Sequence, residues 1–235
     1  MSEKLALFDL DGTLIDTAPD ICSAVNSGLK AASIAPISEV TARAYIGEGS
    51  TKLMHRAITK KIDGVAPENH FSQVYSGFCS HYSKNLFVDS VIYSGALEAL
   101  DELKSAGFKL GCITNKPYEY ALPLLEKAGL AHLFDIILGG NSLTEKKPDP
   151  LPIIHAIEQT KSDRNKTVMV GDSITDLRAA KNADVYSICV SYGYHGDIDL
   201  KMHDPSIMID SLNFLPSLIK KLCSDLDKIE KKLMN

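Results

Sequence analysis

Beyond residue 90 the chain repeats one pattern: an amphipathic stretch with apolar residues three and four positions apart, a glycine or polar stop, then a short apolar run. The spacing predicts helices over residues 95–106, 118–128, 151–159 and 174–182, strands over 109–113, 134–138, 167–170, 185–190 and 207–209, and a last helix from Leu212. Gly107 and Gly129 stand just past the first two helices, where a left-handed residue commonly closes the final turn. Residues 5–10 (LALFDL) form a further apolar run with the length of a buried strand. Apolar strands alternating with helices predict an α/β fold: a parallel sheet, covered on both faces and joined by right-handed crossovers.

Between the first strand and residue 90 the rhythm is helical throughout. Residues 19–32 place Ile21, Ala24, Val25 and Leu29 at helical spacing, and a second helix opens at Ser38 and breaks at Gly47-Glu48-Gly49. Residues 51–61 carry Leu53, Ala57 and Ile58 on one face, and residues 67–84 carry Phe71, Val74, Tyr75, Phe78 and Tyr82. The expected organisation is a core of residues 1–16 and 90–235 with an all-helical cap domain of residues 17–89. The insertion is expected over the end of the first strand, because both its connections leave from there. Residues 225–232 (DLDKIEKK) read as a solvated helix end.

In a parallel sheet ligands bind beyond the carboxyl ends of the strands, so the polar residues there are the candidates for chemistry. Asp9 and Asp11 end the first run; strand geometry continued that far puts both on one side with Leu10 facing away. Two carboxylates in one small space repel each other and need a cation or a proton between them. That implies a hard metal ion or acid/base work, although Asp-Gly-Thr by itself also suits an ordinary turn. Thr114 and Asn115 end the second core strand, where a hydroxyl and backbone N–H groups can hold phosphoryl oxygens. Asp172 and Asp176 flank the start of a helix and fit either helix capping or a site for Mg²⁺, which takes oxygen ligands.

Composition narrows the setting. A net charge of −5 offers no basic footprint for nucleic acid or an anionic membrane, so any anionic substrate must be drawn in by local cations. Lys146 and Lys147, before Pro148, are the candidates for that task. The five cysteines are scattered, with no C-x-x-C pair, which reads as reduced thiols filling a core. No apolar run reaches membrane length, and Asp9 and Asp11 interrupt the first one. A cytoplasmic protein, monomer or homodimer, is expected.

DLDGTL at residues 9–14 shares its D-x-D-G-T-L spacing with the first motif of the haloacid-dehalogenase-like superfamily, and the chain resembles that family throughout. Thr114 resembles the second motif, Lys147 followed directly by Pro148 the third, and Gly171-Asp172 with Asp176 the G-D-x-x-x-D of the fourth, all in the family's order. The resemblance implies a Rossmann-like core with an inserted helical cap and a phosphoryl-transfer mechanism through an aspartyl-phosphate. In it Asp9 is the nucleophile and Asp11 the acid/base that the founding dehalogenases lack. Thr114, Asn115 and Lys147 hold the phosphoryl group, with Lys146 as a possible substitute for Lys147. Asp9, the Asp11 carbonyl and Asp172 bind Mg²⁺, with Asp176 in support. DGTLIDTAPD, the GEG turn and SYGY together resemble the phosphoglycolate phosphatases, which implies a small anionic phosphate ester, 2-phosphoglycolate, as substrate. A sugar phosphate, a nucleotide, pyrophosphate or a phosphomutase reaction is the alternative. A non-catalytic module is a third reading, disfavoured because Asp9, Asp11, Lys147 and Asp172 are all present. Gly47, Glu48 and Gly49 are candidates for a cap loop entering the site, Arg43 and Arg56 for partners of a substrate carboxylate, and His195 for the entrance.

Overall fold

The computed structural model describes residues 3–196 and 198–233, the side chains of 225–233 excepted. β1 (Glu3–Phe8) is buried from Leu5 onward. Its side chains alternate, Ala6 and Phe8 joining one apolar cluster while Leu5 and Leu7 join another. Burial on both faces is the condition of a central parallel strand. The chain then passes through β2 (Ile15–Asp16) and the helices α1 (Ala18–Ala31), α2 (Glu39–Tyr45), α3 (Ser50–Thr59) and α4 (Glu68–Tyr82). It returns by β3 (Val91–Ile92), antiparallel to β2. From there helix and strand alternate: α5 (Ala96–Ser105), β4 (Phe108–Ile113), α6 (Tyr118–Lys127), β5 (Ile136–Leu138), α7 (Leu151–Thr160), β6 (Ser162–Gly171), α8 (Ile174–Ala183), β7 (Tyr186–Val190), β8 (Ile207–Ile209) and α9 (Leu215–Leu233).

Six strands form one parallel sheet in the order β5-β4-β1-β6-β7-β8. The order reverses beside β1, where Phe8 stands opposite Cys112 of β4 and Val170 of β6. Asp9, Thr114 and Asp172, each just beyond its strand, therefore leave the carboxyl edge of the sheet side by side. This is the topological switch point at which open α/β sheets bind ligands. Leu100, Leu103 and Leu124 belong to the cluster on one face, and Ile153, Ala156 and Ala180 to that on the other.

A third cluster lies among the helices α1 to α4, made by Ile21, Val25, Leu53, Met54, Val74, Phe78 and Tyr82 and completed by Tyr120 of α6. α1 and α4 cross so closely that a Cβ on Gly28 would lie 2.3 Å from the Val74 carbonyl oxygen, an approach only glycine permits. The buried Asp20 carboxylate at the start of α1 accepts the N–H groups of Val88, Asp89 and Ser90 at 2.9, 2.9 and 3.0 Å. The linker that returns from the cap is thereby tied to the one that leaves for it.

The elements depart from the sequence pattern in four places. β1 ends at Phe8 because the Leu10 carbonyl takes the N–H groups of Thr13, Leu14 and Ile15, closing a tight turn with Gly12 at φ +85°. β2 and β3 escape prediction because two residues are too few for a period of two to show. β6 reaches back to Ser162 through the polar stretch at 162–166, which carries no apolar run. Ala131–Leu133 and Leu212–Phe214 are 3₁₀ turns, so β5 and α9 begin later than expected. Residues 225–232 continue α9, and the expected solvation of their side chains lies outside the described residues.

Candidate active site

Three carboxylates meet at the switch point. One oxygen from each of Asp9, Asp172 and Asp176 lies within 4.8 Å of the others, and all three residues are buried. Among them sits the Lys147 ammonium, 2.9 Å from Asp9 Oδ1 and 2.6 Å from Asp176 Oδ1. Asp176 also caps α8: its Oδ2 accepts the Ser173 N–H at 3.1 Å while the Ser173 hydroxyl accepts from the Asp176 N–H. Asp176 thus uses Oδ2 for the helix cap and turns Oδ1 to Lys147. Asp172 accepts the Thr13 hydroxyl at 2.9 Å and the Tyr194 N–H at 2.6 Å. A Cβ on Gly12 would come 2.5 Å from Asp172 Oδ2, so the turn after β1 closes against the end of β6 only with glycine there.

Asp11 faces a different cation. Its carboxylate accepts the Lys116 ammonium at 2.8 and 3.1 Å and the Thr17 hydroxyl at 2.6 Å. Leu10, between Asp9 and Asp11, is buried in the core as alternation anticipates, although the strand has already ended. Lys116 was not among the sequence candidates. Its signal is the Thr-Asn-Lys run at the end of β4, ambiguous until burial is known.

The remaining candidates separate. Thr114 is buried and lines the same cavity as Asp9 and Asp11. The Asn115 side chain does not offer its donors to that cavity: Nδ2 donates to the Gly47 carbonyl at 3.2 Å and the Lys147 carbonyl at 2.9 Å, tying the cap turn to the lysine loop. Lys146 extends to the Glu48 carbonyl at 2.9 Å, so Lys147 is the lysine at the carboxylates. Gly47 and Gly49 line the cavity, whereas the Glu48 carboxylate turns to Lys52 and Arg56. Arg56 also donates to Ile62 and Tyr45 carbonyls, which places its guanidinium inside the cap rather than toward a substrate. Arg43 pairs with Asp16 at 2.8 Å and Glu39 at 2.7 Å beside the linker. His195 lies 3.0 Å from the Ser191 carbonyl, along a separate groove outside the cap turn. The SYGY loop acts as a clamp instead: the Tyr192 hydroxyl donates to Thr13 O, and the Tyr194 hydroxyl donates to Asp16 while accepting the Thr17 and Ala18 N–H groups.

Burial raises the pKa of Asp9 to about 7; Lys147 pulls it down, and the charges of Asp176 and Asp11 push it up again. Burial likewise raises Asp172 well above the carboxylate range, helped by Asp176 and Asp9 and opposed by its hydrogen bonds to Tyr194 and Thr13. Burial lowers Lys147, but the carboxylates of Asp176 and Asp9 outweigh it and the net shift is upward. If all four carboxylates ionise, the two lysines leave two negative charges unbalanced, a deficit that protons on Asp9 and Asp172 or one divalent cation would remove. An all-oxygen donor set of this kind suits a hard ion.

Residues 6–190 match the haloacid dehalogenase-like hydrolase family. The chain is 39% identical over 218 residues to the phosphoglycolate phosphatase of Nitrosospira multiformis, covering 93% of this chain and 96% of that one. It is also 39% identical over 221 residues to the phosphoglycolate phosphatase of Agrobacterium fabrum, covering 94% of each. The chain belongs to the haloacid dehalogenase-like hydrolases. A crystal structure from Haemophilus somnus 129PT, described as a predicted phosphoglycolate phosphatase, superposes on this hydrolase with a TM-score of 0.86 at 31% identity, over 93% of this chain and 98% of that one. Among the described residues no helix of this hydrolase is long and apolar enough to cross a membrane.

The raised carboxyl groups give this hydrolase a pH-dependent stability. Asp9 and Asp172 keep protons in the folded protein at pH values where the unfolded chain has released them. The folded state binds more protons from the ordinary carboxylate range up to about pH 7, so stability falls as pH rises through that window. In the presence of a chelator the urea midpoint is expected to be lower at about pH 8 than at about pH 5, by a few kcal/mol in stability, with excess Mg²⁺ removing most of the difference. A metal-free midpoint that rises over that interval would contradict the raised carboxyl groups.

Proposed function

We propose that this hydrolase is a Mg²⁺-dependent phosphatase that cleaves a small phosphate monoester, 2-phosphoglycolate, to glycolate and phosphate through an aspartyl-phosphate on Asp9. The observation that carries this reading is the convergence of the Asp9, Asp172 and Asp176 carboxylates, with the Lys147 ammonium on Asp9 and Asp176. The phosphoglycolate phosphatases that share 39% of its residues support the choice of substrate. Mg²⁺, held by Asp9, Asp172 and the Asp11 carbonyl, supplies charge neutralisation and alignment of the phosphoryl group.

In this reading a carboxylate oxygen of Asp9 attacks phosphorus and the bond from phosphorus to the ester oxygen breaks. Asp11 gives its proton to the departing glycolate oxygen, then takes one from the water that hydrolyses the acyl phosphate. Lys147 and the Thr114 hydroxyl hold phosphoryl oxygens, and Lys147 favours the anionic form of Asp9 against the burial that opposes it. Residues 17–89 serve as a cap over a core of residues 1–16 and 90–235. The cavity between them holds about 40 Å³, room for a few waters, so the cap parts from the core to admit an ester and closes to exclude solvent. A cytoplasmic setting is consistent with five scattered cysteines that form no disulfide among the described residues.

The test is inorganic phosphate release from a panel of 2-phosphoglycolate, sugar phosphates, nucleotides and pyrophosphate, with and without Mg²⁺. The expected result is a preference for 2-phosphoglycolate of at least about tenfold in kcat/KM, lost on removing the metal. Faster turnover of a sugar phosphate or a nucleotide would reject the substrate, and metal-independent release would reject the cofactor.

A further inference from the structure

The cavity beneath the cap holds one cation that the chemistry above does not use. Lys116 is the only cationic side chain among the described residues that line it, and it is 6% exposed. A buried ammonium is costly unless an anion faces it, and here that anion is the Asp11 carboxylate, met by both oxygens. The position therefore already accepts a carboxylate group. The ammonium also lies 4.9 Å from the centre of the Tyr82 ring, which comes from the cap helix α4. The Tyr82 hydroxyl is buried on the side of that ammonium, and among the described residues no acceptor takes its O–H. A buried O–H donor without an acceptor is unfavourable, and a carboxylate oxygen is the acceptor it lacks.

We propose that Lys116 and Tyr82 form the subsite for the carboxylate of the substrate, in the cavity that Asp9 and Thr114 also line. This rests on the reading of the protein as a phosphatase for a carboxylate-bearing phosphate ester. Part of the surrounding wall agrees with it: Ile21, Ile46, Leu53 and Phe78 line the cavity with apolar surface that suits a methylene. The two arginines expected to meet a carboxylate do not line this cavity, whereas Lys116 does, with Asp11 as its present partner. Because Lys116 belongs to the core and Tyr82 to the cap, the subsite is complete only when the cap is closed. Recognition of the carboxylate and exclusion of water then come from one movement.

Removing Lys116 also disturbs Asp11, so the readout must be a ratio between two ligands that differ in the carboxylate alone. The probes are 3-phosphonopropionate, a non-hydrolysable isostere of 2-phosphoglycolate, and propylphosphonate, which lacks the carboxylate; their dissociation constants are measured by calorimetry on the full chain with Mg²⁺. The wild-type protein is expected to favour the carboxylate ligand at least about thirtyfold, and Lys116→Met to reduce that ratio to within about threefold of unity. Lys116→Arg is expected to retain part of the discrimination. Tyr82→Phe, which keeps the ring, is expected to lower the ratio by about three- to tenfold, and it decides the matter should Lys116→Met not fold. A ratio unchanged in both Lys116→Met and Tyr82→Phe, or a wild-type ratio near one, overturns the subsite. A wild-type protein that discriminates between the phosphonates but turns over another ester faster than 2-phosphoglycolate overturns the substrate assignment and leaves the subsite standing.

Discussion

Asp9→Asn is expected to reduce phosphate release by at least about three orders of magnitude while leaving the fold in place. The substitution is isosteric, so the packing of a residue that is 7% exposed need not change. What it removes is the anionic oxygen that would attack phosphorus. It also removes one of three buried carboxylates that repel one another, while Lys147 keeps Asp176 as a partner at 2.6 Å. The metal-free variant should therefore be at least as stable as the wild type at about pH 8, where the wild-type cluster is most strained by its charge. Loss of turnover together with an unchanged or raised urea midpoint is the expected pair of results. Substantial retained turnover that still depends on Mg²⁺ would reject Asp9 as nucleophile.

Lys147→Met has the second large effect, and it acts on both activity and stability. The lysine is 2% exposed and its ammonium touches two carboxylates that are themselves buried. Replacing it with an apolar chain of similar length leaves the acidic residues facing one another without a counter-charge. Breaking a buried ion pair in this way costs about 3–5 kcal/mol. The cost is expected to shrink at about pH 5, where protons neutralise the carboxylates, and to shrink also with Mg²⁺. Urea unfolding at the two pH values measures it, and a pH-independent loss would show that the side chain acts through packing alone. Phosphate release should fall by about three orders of magnitude, because a fixed cation no longer meets the incoming phosphoryl oxygens. Lys146 cannot substitute, since its ammonium is held by the Glu48 carbonyl on the cap turn.

The same contacts show how cap and core are joined. Tyr194 donates its N–H to Asp172 at 2.6 Å, and its hydroxyl meets Asp16, Thr17 and Ala18 where the outgoing linker becomes α1. Asp11 reaches the same linker through Thr17 and the floor of the cavity through Lys116. Asp11 is thus one hydrogen bond from the outgoing linker, and Asp172 is joined to it through Tyr194, which bonds to both. Asp20 fastens the returning linker to the outgoing one. Cap position and active-site geometry are mechanically linked through short, buried contacts.

Local pattern alone determined a good deal of this protein. The alternation of apolar runs with amphipathic stretches identified the parallel sheet, the helical insertion and the strand ends that carry Asp9, Thr114 and Asp172, because side-chain periodicity is imposed by the backbone a few residues at a time. Elements with too few residues to show a period, such as β2 and β3, were hidden for the same reason. Tertiary structure decided the partners. Lys116 finds Asp11 across 105 positions, and Tyr194 finds Thr17 across 177. Arg56 and Asn115 look from the sequence like ligand-binding groups, yet nearby backbone carbonyls take their donors. An isolated charged residue shows that a charge is present. Which opposite charge or unfilled hydrogen bond it faces is settled only when the chain folds back on itself and excludes water from between them.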